Sequence, residues 1–288
     1  MLRLARIAAL SFLVHSILLT AVYVVGAHLP SGGVLDVISE GRTLTDFGLG
    51  ITLRLPMREA VFAPDRRRYV TIERRAGAQA VDECWLWHLG SPDSTLLFQE
   101  AAGTLLGLPS WSTDGRMIAY LRQADEHMTV VIFDLAARQV TVEIDAAYPL
   151  LPTLVWWPDH SRLLTSALID GQYDLVTLRI PDGRMTALSS TPHNETFPLI
   201  TPDGGTILFT SSALGTLDVY AMSSSAEVRP LVVGSALYTA HGLSPDGRWL
   251  SVVRLSAERG LEGLRFDRWR GLLLPPFPLP AAAQLGWW

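Results

Sequence analysis

Histidine is the residue type of this chain best suited to acid–base and metal chemistry, because its side chain titrates near neutral pH and binds metal ions. The sequence has seven histidines: His15, His28, His88, His127, His160, His193 and His241. None of them is paired with a second ligand at the spacing of a metal-binding motif. His193 and Glu195 stand together just before one predicted strand, and His241 just before another. We therefore take His193, Glu195 and His241 as the candidates for a metal or substrate site; the alternative is that they are ordinary loop or capping residues.

The sequence motifs of the common enzyme classes are absent. There is no Gly-x-Ser-x-Gly elbow, no His-Glu-x-x-His, no cysteine pair for zinc, no phosphate loop and no dinucleotide fingerprint. The chain also contains no lysine, which excludes a lysine nucleophile and a Schiff base. We therefore predict a protein that is not an enzyme, with no catalytic residues, no bound metal and no cofactor.

The net charge argues against a nucleic-acid-binding protein, and the cysteine count excludes a fold held together by intramolecular disulfides. The net charge is −5 and the pI about 5.8, so the chain has no overall basic field to hold nucleic acid. The single cysteine, Cys84, cannot form an intramolecular disulfide. Its neighbours Trp85, Leu86 and Trp87 favour a small buried hydrophobic residue over a reactive thiol.

A repeated turn organises the chain after residue 60. Each copy has a large apolar residue, two intervening residues and an aspartate, and three of the copies continue into glycine. The five aspartates are Asp65, Asp114, Asp159, Asp203 and Asp246. They are 49, 45, 44 and 43 residues apart, close to the period of a propeller blade. Proline, aspartate and glycine all favour tight turns, so this context explains the aspartates without a calcium site.

The elements around each turn predict an all-β fold. An apolar strand follows every turn, at residues 69–72, 117–121, 163–167, 206–210 and 249–255, and two further strands complete each unit of four. A single sheet cannot bury both of its faces, whereas radial stacking of several sheets can. We therefore predict a β-propeller of four-stranded blades over residues 60–274. The apolar residue three before each aspartate, including Trp111 and Trp156, is expected to pack between blades.

The repeat resembles the TolB-like branch of the WD-type propellers. Units of that family read apolar–Ser/Thr–Pro–Asp–Gly before one strand and apolar–Tyr–apolar–Asp in a later strand. Segments 112–120 and 244–250 match the first pattern, and 131–134 and 218–220 match the second. Two units depart from it, because Arg66 and His160 follow the aspartate where the family has glycine. The resemblance implies the propeller fold over about three-quarters of the chain, but no specific function.

The sequence indicates the number of blades and the closure of the ring less directly than it indicates the propeller fold. Five aspartate turns predict five blades. Residues 31–59 precede them and contain strand-like segments at 34–38 and 51–55. We expect residues 51–55 to pair with the last blade and close the ring, because closure removes exposed sheet edges. The alternative is a partial sixth blade built from residues 31–56. The tail of residues 275–288 begins with a proline-rich stretch that is expected to be extended.

Residues 7–27 form an apolar run long enough to cross a bilayer as a helix of about 30 Å. Arg3 and Arg6 precede the run, and the next arginine is Arg42. The positive-inside rule therefore places everything after Ala27 outside the cytoplasm. We predict an uncleaved anchor within residues 1–30; the alternative is a secretory signal peptide cleaved after Ala27.

Together these features predict a membrane-tethered propeller in the periplasm or at the cell surface, secreted if the signal is cleaved. Its predicted role is to bind a protein or glycan partner, with residues 7–27 in the membrane and no nucleic acid bound. The alternative is a propeller hydrolase or lyase with its site at one mouth of the channel. Convergence of His193, Glu195 and His241 on one mouth would favour the enzyme.

Overall fold

The computed structural model describes residues 60–278 apart from 77–79, 90, 126 and 181, together with the backbone of three short strands between residues 36 and 54. Of residues 277 and 278 it describes the backbone alone. Every regular element in this part of the chain is a β-strand. The all-β prediction is therefore confirmed for the described residues.

Five antiparallel sheets follow one another along the chain, each built on four strands in sequence order, and the fifth has one further strand. The first contains β4 (Ala60–Phe62), β5 (Arg68–Arg75), β6 (Val81–His88) and β7 (Ser94–Ala101). The second contains β8 (Leu105–Trp111), β9 (Met117–Ala124), β10 (His127–Asp134) and β11 (Gln139–Asp145). The third contains β12 (Val155–Trp156), β13 (Arg162–Ile169), β14 (Gln172–Arg179) and β15 (Met185–Ala187). The fourth contains β16 (Glu195–Ile200), β17 (Thr206–Ser211), β18 (Asp218–Ser223) and β19 (Val228–Val232), and the fifth β20 (Leu237–Leu243), β21 (Trp249–Ser256), β22 (Gly260–Asp267) and β23 (Leu272–Leu273).

These sheets are blades, because their first strands are neighbours in space. Strands β4, β8, β12, β16 and β20 contact one another in that order. Apolar clusters fill the spaces between successive blades. Leu121 and Val130 of the second blade pack with Leu163 and Val176 of the third. Leu164 and Phe209 belong to the cluster between the third and fourth blades, and further clusters join the first blade to the second and the fourth to the fifth.

Packing on both faces explains why the second strand of each blade is so apolar. In β9, the four apolar residues from 118 to 121 are all buried. A strand with one face in water would alternate apolar and polar residues, whereas a strand covered on both faces reads as a continuous apolar run. The apolar strands after each turn were therefore a sound indication of stacked blades.

The N-terminal strands pair differently from our first expectation. β3 (Thr52–Arg54) pairs with β2 (Thr43–Asp46), which pairs with β1 (Asp36–Ser39), in a separate three-stranded antiparallel sheet. We expected residues 51–55 to pair with the last blade, and no such pairing occurs among the described strands. The alternative, a partial sixth blade built from residues 31–56, is not decided by this pairing and stays a prediction, as does its participation in ring closure.

The start of the proline-rich tail contributes to the fifth blade. Strand β24 (Phe277–Pro278) pairs with β22 through Glu262 and Gly263. The fifth sheet thus continues past residue 274, where we expected the propeller to end. Strand β23 has only two residues. β24 therefore pairs with the part of β22 that β23 leaves uncovered.

The predicted membrane segment, residues 7–27, lies outside the described residues. Within the part of the chain that the structure describes, no helix has the length and apolar character needed to cross a membrane. The N-terminal anchor stays a prediction.

Candidate functional site

A central cavity of about 740 Å³ is lined by residues of the first strands of all five blades. Most of its lining is apolar and includes Phe62, Trp111, Trp156 and Phe197. Among the described lining residues, His241 is the only one that titrates, and none is an aspartate, glutamate or arginine. A cavity of this volume is within the range of small-molecule sites. Its chemistry is that of an apolar binding site.

The repeated aspartates form the turns beside this cavity. In each turn, the aspartate Oδ1 accepts a hydrogen bond from the N–H two residues later: Arg67 at 2.8 Å, Arg116 at 3.0 Å, Ser161 at 2.9 Å, Gly205 at 3.0 Å and Arg248 at 3.0 Å. Hydrogen bonds from the Thr201 hydroxyl and the Gly205 N–H hold the pKa of Asp203 below its ordinary value. These bonds confirm the interpretation of the aspartates as turn residues.

Prolines from four of the turns line the cavity. Pro64, Pro158, Pro202 and Pro245 each precede the repeated aspartate, and Thr113 occupies that place in the second blade. Neighbouring turns pack closely, since a Cβ added to Gly247 would lie 2.9 Å from Cδ of Pro202. Proline has no N–H and a fixed φ, so this proline rim is both apolar and rigid.

The two turns without glycine still adopt the glycine conformation. Arg66 has a φ of 59° and His160 a φ of 58°, close to the 68° to 72° of Gly115, Gly204 and Gly247. Non-glycine residues rarely adopt this left-handed conformation, so the repeat imposes it. His160 gains a contact in return, because its Nε2 lies 2.5 Å from Oγ1 of Thr113 in the preceding turn.

Two tryptophans join the first strands of successive blades. Trp111 Nε1 donates to the backbone oxygen of Val61 at 3.0 Å, and Trp156 Nε1 donates to that of Ser110 at 3.0 Å. Both tryptophans are buried. Val61 and Ser110 occupy equivalent places in their repeats, four residues before the aspartate. The predicted packing role is confirmed, with a repeated inter-blade hydrogen bond in addition.

His241 is the candidate residue that reaches the central cavity. It lies within strand β20 rather than in the loop before it, and its Nε2 is 3.0 Å from Oγ1 of Thr239. Burial within the ring lowers its pKa to about 4. The imidazole is therefore neutral at physiological pH.

Glu195 and His193 lie apart from that cavity. Glu195 is the first residue of β16, is buried, and accepts a hydrogen bond from the Thr191 hydroxyl. His193 donates its backbone N–H to the same hydroxyl oxygen. In the described part of the chain, no hydrogen bond or ion pair joins His241 to either residue. The convergence that would favour an enzyme is therefore not observed.

Glu195 instead pairs with Asp174, a residue that the sequence did not suggest. Burial raises the pKa of both carboxyls, and their mutual repulsion raises that of Glu195 further. Oδ1 of Asp174 and Oε2 of Glu195 are buried and receive no hydrogen bond from the described residues.

Asp174 is one of three repeat-equivalent aspartates near the start of a third strand. Each is buried and accepts a hydrogen bond from the backbone of the chain leading to the next blade: Asp82 from Gly103 at 2.7 Å, Asp218 from Gly234 at 3.2 Å and Asp174 from Thr191. An apolar residue followed by aspartate before an apolar strand was the available signal. These residues support the fold rather than a reaction.

The single cysteine is also a structural residue. Cys84 is completely buried, and burial raises the pKa of its thiol. The prediction of a small buried hydrophobic residue is confirmed. Across the described residues, no group of three or more histidine, cysteine, aspartate or glutamate side chains is arranged to hold a metal ion. The geometry supports binding through the apolar cavity more than it supports acid–base chemistry.

The sequence and the fold both match known proteins. The family model described as the TolB beta propeller domain matches residues 96–264, more than half of the chain. The structure of TolB from Acinetobacter baumannii is similar with a TM-score of 0.69 and 15% identity, over 92% of this chain and 65% of that one.

Propellers of peptidases are similar as well. A puromycin-hydrolyzing peptidase from Mycobacterium tuberculosis matches with a TM-score of 0.64 and 13% identity, over 86% of this chain and 44% of that one. The β-propeller domain of the Trilobed protease from Pyrococcus furiosus matches with a TM-score of 0.56 and 12% identity, over 86% of this chain and 96% of that domain. At these identities the similarity shows the fold alone.

Proposed function

Since the chain belongs to the TolB β-propeller family, we propose that it is a non-enzymatic, membrane-tethered scaffold outside the cytoplasm. In this proposal the central cavity binds an apolar segment of a protein partner. Residues 7–27 tether the propeller, with Arg3 and Arg6 on the cytoplasmic side of the membrane.

The composition of the cavity lining carries this proposal. An apolar side chain entering the cavity would lose water on contact with Phe62, Trp111, Trp156 and Phe197 and meet no charge, because His241 is neutral at physiological pH. A glycan would require many hydrogen-bonding groups, which this lining does not supply, so a protein partner fits better. A hydrolase would require carboxylates or a paired nucleophile and base at the cavity.

The proline rim favours binding at a low cost in conformational entropy. Its shape is set before binding, because each proline has a fixed φ and the turns are held by the aspartate hydrogen bonds. A preorganised surface loses little conformational entropy on association. The rim is therefore suited to an extended segment with one apolar anchor residue.

Affinity capture with a charged rim variant tests this proposal. Full-length protein in detergent is used as bait for solubilised membrane proteins, and capture is measured at increasing bait concentration. Pro245→Glu places a charge at the rim, and Pro276→Glu is the matched control, since Pro276 is exposed in the same blade but does not line the cavity.

We expect wild type and Pro276→Glu to capture the same partner saturably, and Pro245→Glu to bind it at least about tenfold more weakly. Equal capture by all three proteins would exclude the cavity as the site. A wild-type bait without any saturable partner would contradict the scaffold role itself.

A further inference from the structure

A second cavity, of about 350 Å³, lies on the third blade and has a different chemistry. Its lining consists of Ser161, Arg162, Thr177, Arg179, Arg184 and Thr186. We call it the arginine pocket. Three guanidinium groups and three hydroxyl groups surround it, and the lining contains no acidic residue.

Strand register brings the three arginines together. Arg162 of β13 is the direct partner of Arg179 of β14, and the N–H of Arg179 donates to the backbone oxygen of Arg184 at 3.0 Å. Thr177 and Thr186 form the next pair in the same ladder. Because side chains two residues apart share a face, the arginine row and the threonine row lie on one face of the sheet.

The packing of the sheet shows that the face with the arginine and threonine rows is turned towards the fourth blade. Leu164, which is paired with Thr177, belongs to the apolar cluster shared with Ile207 and Phe209 of the fourth blade. The arginine pocket therefore opens on the side of the third blade that faces the fourth, near the turn of Asp159.

The three arginines of the pocket have too few counter-charges, and one of them lacks a hydrogen-bond acceptor. Nε of Arg162 is buried and donates to no acceptor in the described structure, while its guanidinium lies 4.1 Å from the ring centre of Trp157. Arg179 is paired with Asp182, and Arg162 also lies near Asp159. Like charges directly across a sheet are destabilising, and two aspartates do not balance three guanidiniums. An anion in the pocket would supply the missing charge and the missing acceptor.

We propose that the arginine pocket binds a phosphate group, either free or esterified to a small molecule. Guanidinium groups match tetrahedral oxyanions by paired hydrogen bonds, and the hydroxyl groups of Thr177 and Thr186 can donate to the remaining oxygens. The pocket volume is at the lower end of the range for small-molecule sites, which leaves room for the esterified group.

Calorimetric titration of the full-length protein in detergent at low ionic strength tests the proposal, with inorganic phosphate and glycerol 3-phosphate as separate probes. Arg184→Gln removes one guanidinium. Asp182→Asn frees Arg179 from its partner and removes a competing negative charge. Arg259→Gln is the matched control, because Arg259 is exposed in the hairpin between β21 and β22.

We expect saturable binding by wild type and Arg259→Gln, at least about tenfold weaker binding by Arg184→Gln, and severalfold tighter binding by Asp182→Asn. The gain in Asp182→Asn cannot result from misfolding. Tighter binding of glycerol 3-phosphate would assign the pocket to an esterified ligand, and equal affinities would assign it to the free anion. Absence of saturable binding of both probes to wild type, or equal affinities in Arg184→Gln and Arg259→Gln, would overturn the proposal.

Discussion

The protonation state of His241 decides whether the described lining of the central cavity carries a charge. A protonated imidazole would place a charge among apolar side chains, where its desolvation is costly. Burial lowers the pKa to about 4, so the cavity is uncharged over the physiological range. An apolar partner segment can therefore enter without displacing water from an ion.

His241 should also make the unfolding free energy depend on pH. Its folded pKa, about 4, is below the ordinary value of about 6.5. Stability is therefore full above pH 6.5, falls as the pH drops towards 4 because the unfolded chain takes up the proton first, and changes no further below 4. We expect His241→Gln to remove this dependence, which amounts to no more than roughly 3 kcal/mol.

Urea denaturation of wild type and His241→Gln between pH 4 and pH 8 measures the effect. His127→Gln is the control, since His127 is exposed at the start of β10. If the difference in unfolding free energy between wild type and His241→Gln is the same at every pH in this range, the imidazole is not desolvated.

The first strands of the blades are the elements that hold the ring together. Two of them are short, since β4 has three residues and β12 only two, so these two strands offer few hydrogen bonds within their own sheets. The tryptophans at 111 and 156 compensate by joining the first strand of one blade to that of the blade before it. The fourth and fifth blades have Ile200 and Leu243 at this position, which cannot donate such a bond.

Trp156→Phe tests the contribution of this bond. The change keeps an aromatic ring but removes the donor and leaves the Ser110 oxygen without it, which should lower the unfolding free energy by about 1–3 kcal/mol. Trp269→Phe is the matched control, because Trp269 is 67% exposed. Chemical denaturation of both variants provides the comparison. Equal losses in the two would mean that the inter-blade bond has no net effect on stability.

At the scale of the whole molecule, the sequence predicted the repeated features and missed those that depend on register. The aspartate turns were visible because each is a local arrangement that recurs five times. The partner of Thr52–Arg54 and the addition of Phe277–Pro278 to the fifth blade were not visible, since such short strands carry little information about register. Arg162, Arg179 and Arg184 are likewise scattered in sequence and meet only after β13, β14 and the residues before β15 have paired.

The lack of information about strand positions also explains why the three candidate site residues do not share one site. His193, Glu195 and His241 were grouped because each precedes or begins a first strand. The fold separates them, because His241 faces the central cavity whereas Glu195 pairs with Asp174 of the neighbouring blade. Only the positions of strands around the ring decide which residues share a cavity.

Attachment to the membrane is the property of the whole molecule on which the proposed scaffold role depends. If residues 7–27 form a retained anchor, the full-length chain should remain in the membrane fraction after alkaline carbonate extraction. Leu13→Arg combined with Leu18→Arg should release it, because each arginine costs about 2.5–3.5 kcal/mol at the centre of a membrane helix.

Ser11→Leu, which only increases the apolar character, is the control and should stay in the membrane. The intact mass of the wild-type protein separates the two alternatives, since cleavage after Ala27 would remove the first 27 residues and leave a soluble propeller. Wild-type protein of full mass in the soluble fraction would contradict both the anchor and the cleaved signal.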